Sequence, residues 1–398
     1  MAMDKYLWIL LAALLLASCS AIDSEEQAGG SAVASAVSFD VTTDDAATRS
    51  VIANTSEFAI DGRKFRVWAF MQKNNTGDWT PMTSDYNSNK LEAVDVTYIA
   101  NRREWTTTET YYWPRPKFTV DFYAVYPSAD IFDADNKKLV YTVPADNNSV
   151  DVMYATCRGK RDGTEAARQR KPVDLKFHHA LSQISFYGKL HSDLVALGWK
   201  VIISNITICN IKSQGSLQLI TDADYANHPK KYTNQSLPVN YSLAMNTPQT
   251  LTTASVAKDS EDKEIPLTSP TDVAMLIPQE LTAWDNTAAA QKMGTTAPST
   301  SNSYLAVTLR IMDSNNVDIF GPDPITVFSP FDCGVAGGWQ AGVYYQYTLK
   351  ISGGYNAKGN PIVNPIEFSA AIQPWISDAA TNATSATPGT ATHTPAVN

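Results

Sequence analysis

The sequence predicts an all-β fold, and three observations carry that expectation. Short runs in which apolar and polar residues alternate recur along nearly the whole chain, which is the period-two signature of half-buried strands. Turn formers punctuate the runs: the 398 residues include 19 glycines and 21 prolines, with clusters such as Asn74-Asn75-Thr76-Gly77 and Asp146-Asn147-Asn148 between strands. Helical periodicity is confined to 194–197 and 281–290, room for a turn or two in each.

Taken in order, the first element is not part of the fold. Lys5 gives a positive start, residues 6–17 form an uninterrupted apolar stretch, and Leu16-Ala17-Ser18 places small residues before Cys19. This is the layout of a cleaved signal peptide. About a dozen apolar residues fall short of the ~20 that a permanent membrane helix needs. The cysteine at the cut makes it a lipoprotein signal, 1–18, with Cys19 acylated. Each buried methylene contributes about 0.8 kcal/mol, and stable anchoring takes more than one chain. Residues 19–34 follow as a flexible acidic tether, with Asp23, Glu25 and Glu26 leading into Gly29-Gly30-Ser31.

Strands then follow one another. Residues 36–41, 64–70 and 118–126 alternate cleanly. Residues 158–172 are polar, rich in charge and without an apolar period, and read as an exposed loop. Alternation resumes at Val173-Asp174-Leu175-Lys176-Phe177 and continues through 184–190, 201–209, 304–311 and 344–351. A boundary near Pro172 therefore divides two β-sandwich domains, 35–172 and 173–376. Residues 377–398 are Ser, Thr, Ala and Pro without alternation, and are expected to be disordered.

Composition excludes several functions. A net charge of −9 argues against nucleic acid, whose binding rests on basic surface. With Cys19 lipidated, Cys157, Cys209 and Cys333 remain, an odd number that implies no disulfide framework but leaves one bridge open. His178 and His179 are adjacent, so on a strand they point to opposite faces and do not converge on a metal; one inside and one outside is expected. Asp133-Ala134-Asp135-Asn136 starts like a calcium loop, but Lys138 and Pro144 stand where the loop needs Gly and Glu, so it reads as a turn. There is no phosphate-cradling glycine loop and no G-x-S-x-G elbow. No enzyme, cofactor or metal is expected. Trp105, Tyr111, Tyr112 and Trp113 could stack on sugars, yet they lead straight into a strand and are assigned to core and edge packing.

In this order the residues resemble the Bacteroidota fimbrillin family of type V pilus proteins. The likeness is carried by the segment ending at Cys19, Ala46-Ala47-Thr48-Arg49-Ser50, Tyr112-Trp113-Pro114 and Val120-Asp121-Phe122-Tyr123-Ala124. It continues through Asp151-Val152-Met153-Tyr154-Ala155, the stretch from Val173 to Phe186 containing His178-His179-Ala180-Leu181, Met275-Leu276-Ile277-Pro278-Gln279, and Pro374-Trp375. The resemblance implies two tandem transthyretin-like β-sandwich domains of Greek-key type. It also implies export as an outer-membrane lipoprotein exposed at the cell surface, and cleavage between Arg49 and Ser50 by an arginine-specific or trypsin-like protease.

Removing a segment that contains a strand leaves unpaired backbone groups and exposed apolar surface, which another strand can fill. If 36–41 is that strand, cleavage after Arg49 frees lipid anchor and strand together, and other pilus subunits become partners by donor-strand insertion. The tail is a poor donor, because Val397 is the only large aliphatic residue in 377–398. That favours a tip or accessory position over the stalk. The alternative is a surface-anchored lipoprotein that binds host glycan or protein and does not polymerise.

Overall fold

The computed structural model describes residues 35–44, 52, 54–73, 76–83, 87–114, 118–146, 150–161, 172–221, 227–252, 264–269, 273–284, 297–364, 366–374 and 391–393. The signal segment, Cys19, the tether, Arg49 and Ser50 lie outside these residues.

The first half is built on an eight-stranded sheet. Its strands are β1 (Phe39–Thr43), β2 (Lys64–Lys73), β3 (Thr80–Pro81), β4 (Val94–Ile99), β5 (Glu104–Thr106), β6 (Phe118–Tyr126), β9 (Met153–Arg161) and β10 (Val173–His179). The order is β3-β2-β4-β5-β1-β10-β9-β6, and β6 pairs with β2 as well as β9, so the sheet closes on itself. The first half is thus a barrel and not the sandwich expected from the sequence. The reason lies in β6, whose interior residues from Thr119 to Val125 are all buried and whose two edges both find long partners. Closure leaves the strands of the ring no free edge. β9 runs through Arg161, into the stretch that composition marked as loop.

Alternation places the barrel core. In β1, Phe39, Val41 and Thr43 point inward while Asp40 and Thr42 are exposed. A helix of one turn, α1 (Thr55–Phe58), follows β1; Asn54 Oδ1 accepts from Glu57 N at 3.0 Å, an N-cap that satisfies an otherwise orphaned donor. The turn seats Phe58 in the core, 5.0 Å from the ring of Phe177. Four residues are too few to carry a helical period, so sequence patterning passes over it.

Two further sheets make up the second half. One contains β11 (Ser182–Leu190), β15 (Ile265–Pro266), β16 (Ala274–Leu276), β19 (Val343–Ile351), β22 (Glu367–Pro374) and β23 (Ala391–His393), with β11 and β19 parallel. The other contains β7 (Phe132–Asp133), β8 (Lys138–Thr142), β12 (Lys200–Gln218), β13 (Thr233–Ser242), β14 (Gln249–Leu251), β17 (Tyr304–Met312) and β18 (Ile325–Pro330). A short hairpin, β20 (Gly353–Tyr355) with β21 (Pro361–Val363), and one helical turn, α2 (Ser192–Ala196), complete the described elements. Ile184, Phe186, Tyr345 and Tyr347 from the first of these sheets share one core with Ile203, Ile206, Leu305 and Leu309 from the second.

The same core takes in Trp68, Phe70, Tyr123 and Tyr154 from the outer wall of the barrel, and β8 pairs with β12 and, on its other edge, with β7. Residues from Ala36 onward accordingly form one compact unit. Within the C-terminal tail, β23 pairs antiparallel with β22, from Phe368↔His393 to Ala370↔Ala391.

Candidate functional site: the β1 slot and its anchors

β1 is held in the barrel ring chiefly along one edge. It pairs in parallel with β10 over five residues, Phe39↔Val173 to Thr43↔Phe177. Toward β5 it makes one register pair, Phe39↔Trp105, supplemented upstream by the bridge Ala36↔Tyr112 and by Val37 N donating to Tyr111 O at 2.8 Å. Among the described residues, the ring between β5 and β10 is continuous only through β1. Beneath it lies an apolar floor formed by Phe65, Trp105, Val173, Leu175 and Phe177, and Phe39 meets Phe65 edge-on at 6.1 Å. Without β1 these side chains and one edge of β10 would face water.

Polar anchors hold the end of the strand. Thr43 N donates to Thr55 Oγ1 at 3.0 Å, and Asp44 N to Phe177 O at 3.1 Å. The Asp44 carboxylate, almost fully buried, accepts from Lys176 Nζ at 2.8 Å and from Nδ1 of His178. Burial works against a charged Asp44, but the bonds and charges of His178 and Lys176 outweigh it and hold its carboxyl below the usual range. His178 moves down as well, because burial disfavours its cation, with Lys176 and Lys230 adding to the effect against Asp44. Neutral His178 donating to ionised Asp44 satisfies both directions. Lys230, also near Asp44, is brought down to about 8 by burial.

The second histidine has its own carboxylate: His179 Nδ1 lies 2.9 Å from Asp151 Oδ1, and both side chains are fully buried. The two histidines do point to opposite faces of β10, but neither is outside. His178 faces outward from the barrel onto Tyr154, which in turn stacks on His228, and the second half covers it. The expectation of one exposed histidine assumed a sheet with one wet face; that face is wet at Asp174 and Lys176, but at the end of β10 it is covered, and His178 is buried there.

The other candidates resolve individually. Trp105 and Trp113 are buried in the barrel core, with Tyr111 packed against it. Asp133 accepts from Asp135 N, Asn136 N and Asn136 Nδ2 at 2.8–3.1 Å, closing the turn between β7 and β8. Cys157, Cys209 and Cys333 are free thiols, so the open possibility of a bridge is closed. Arg49 and Ser50 fall in sequence between Asp44 and α1, outside the described residues, as does Cys19. Asp44 and its partners escaped sequence reasoning, because their pairing joins residues 134 apart.

No curated protein matches the chain. Among solved structures it is similar to a fimbrial protein from Bacteroides vulgatus ATCC 8482, at 12% identity over 85% of this chain and 99% of that one, with a TM-score of 0.49. It is similar to a fimbrial assembly protein from Parabacteroides distasonis ATCC 8503, at 9% identity over 86% and 99%, TM-score 0.37. It is also similar to the tip fimbrial protein Mfa3 from Porphyromonas gingivalis with C-terminal truncation, at 10% identity over 84% and 99%, TM-score 0.35. The family model described as Fimbrillin-like matches residues 48–375, most of the chain's length. The chain therefore belongs to the fimbrillin-like family.

Proposed function

We propose that this fimbrial protein, a structural and adhesive component of the cell surface and not an enzyme, joins its neighbours by strand exchange at the β1 slot. The single observation that carries the reading is that, among the described residues, β1 alone bridges β5 and β10. In this scheme the chain is exported as a lipoprotein acylated on Cys19, and a surface protease cuts between Arg49 and Ser50. The cut leaves β1 and Asp44 attached to the rest only by non-covalent contacts. Burial of Phe39 and Val41 supplies roughly 1.5–3 kcal/mol each. After the cut that hold is intermolecular, so dilution favours departure. A strand from another subunit then restores the backbone pairing with β10 and covers Phe65 and Trp105.

The tip or accessory position is proposed from composition: the tail that includes β23 offers Val397 as its only large aliphatic residue, a poor filler for apolar pockets. The second half, with two sheets over one core, is read as a transthyretin-like sandwich.

N-terminal sequence and mass of the protein isolated from its own cell surface test the scheme. A start at Ser50 is expected. A start at lipidated Cys19 overturns strand exchange and leaves a tethered lipoprotein that binds glycan or protein. Arg49→Ala should accumulate as a lipidated precursor that does not assemble. Deleting 377–398 should leave a tip protein's incorporation unchanged, whereas loss of polymer growth would return it to the stalk.

A further inference from the structure

Away from β1, a pocket of about 240 Å³ opens where the outer wall of the barrel meets the end of β12. Phe70 and Tyr123 form apolar walls, and Trp79, half-buried just ahead of β3, flanks the opening. Asp121, almost fully buried, holds Arg158 through two bonds, Nε to Oδ1 at 2.6 Å and Nη2 to Oδ2 at 2.7 Å. Thr221 Oγ1 donates to the same carboxylate at 2.6 Å and lies 3.0 Å from Arg158 Nη2. The guanidinium is thereby fixed, and its carbon lies 5.4 Å from the centre of the Trp79 ring.

Lys137 is the second cation of the pocket. It has positive φ in the turn between β7 and β8, its Nζ stands 3.1 Å from the centre of the Phe70 ring, and it donates to Ala134 O. No carboxylate contacts it among the described residues. Burial lowers its pKa, against the field of Asp135, Asp133 and Asp121. The lining thus carries two cations against one carboxylate, and that carboxylate is engaged by Arg158 and Thr221.

We propose that this pocket binds one carboxylate-bearing sugar ring, a hexuronate either free or terminal on a glycan. Its volume is below the ~300–1,000 Å³ of drug-sized sites, which suits a single ring and not a chain. Trp79, half-buried at the opening, supplies flat apolar surface for the C–H face of a pyranose, above a floor of buried Phe70 and Tyr123. Lys137 supplies the charge for the carboxylate, and an anion beside it would offset the desolvation that its buried ammonium now bears. The proposal does not depend on strand exchange, since none of these residues belongs to β1 or to its slot.

Calorimetric titration of the purified chain with glucuronate, a disaccharide ending in glucuronate, glucose and acetate tests it. Glucuronate or its disaccharide should bind about tenfold or more tightly than glucose and acetate, the disaccharide alone if a glycan end is required. Lys137→Gln and Trp79→Ala should each weaken binding by about tenfold. Independently of any variant, glucuronate or the disaccharide should slow amine-directed labelling of Lys137 selectively. Absence of binding by both acidic sugars, equal affinity for glucose, or labelling of Lys137 unaffected by saturating ligand would each overturn the proposal.

Discussion

His178 donates through Nδ1 to the carboxylate of Asp44, fastening the residue just past β1 to the end of the strand beside it. Because Asp44 precedes Arg49, the proposed cut after Arg49 would leave this carboxylate with the segment that carries β1. Departure of that segment would remove a buried charge as well as two apolar side chains, and His178 and Lys176 would lose a common partner.

Asp44→Asn tests that fastening. The uncleaved chain should lose roughly 1–3 kcal/mol in denaturant unfolding, the cost of weakening a buried charge-assisted bond. After proteolysis the 19–49 fragment should separate from the rest faster than in the unaltered protein. Unchanged fragment retention would remove Asp44 from the latch.

Acid should loosen the same contact, with the sign set by the neutral state of His178. Its folded pKa is depressed, so its contribution is complete above the unfolded value near 6.5 and is lost as pH falls through the folded value. Asp44, also depressed, adds a second loss below about 3.8. Melting temperature against pH should decline below about 6.5, and His178→Gln should flatten that part of the curve.

Phe39→Ala separates precursor from product. In the uncleaved chain it opens a hole against Phe65 and should cost about 3–5 kcal/mol. In a chain that begins at Ser50 the residue is gone, so assembled fimbriae should show no difference in stability. A difference there would mean β1 is retained.

Asp151→Ala should destabilise by roughly 3–5 kcal/mol, since it leaves fully buried His179 without this carboxylate. Thermal or denaturant unfolding reads the change. It should leave retention of the 19–49 fragment unaffected, because the Asp151–His179 pair ties β10 to the segment before β9 and not to β1.

The three cysteines should resist alkylation in the native state. Burial pushes Cys157 and Cys209 up to about 11 and Cys333 up to about 12, leaving little thiolate at pH 8. All three should react once the chain is unfolded without reductant, which mass spectrometry would count.

The sequence by itself determined the all-β class, because period-two alternation is a local property: β6 matches 118–126 residue for residue, and β10, β11, β17 and β19 lie where alternation marks them. It determined the family too, through motifs such as Asp151-Val152-Met153 and His178-His179. Only the tertiary structure decided that the first sheet closes as a barrel, since pairing of β2 with β6 depends on which edges meet, and alternation says nothing of neighbours. The same holds for Asp44 with His178 and for Trp79 with Arg158. Each joins residues from distant segments, and burial of both histidines at the end of β10 became visible only once the second half had packed against the barrel wall.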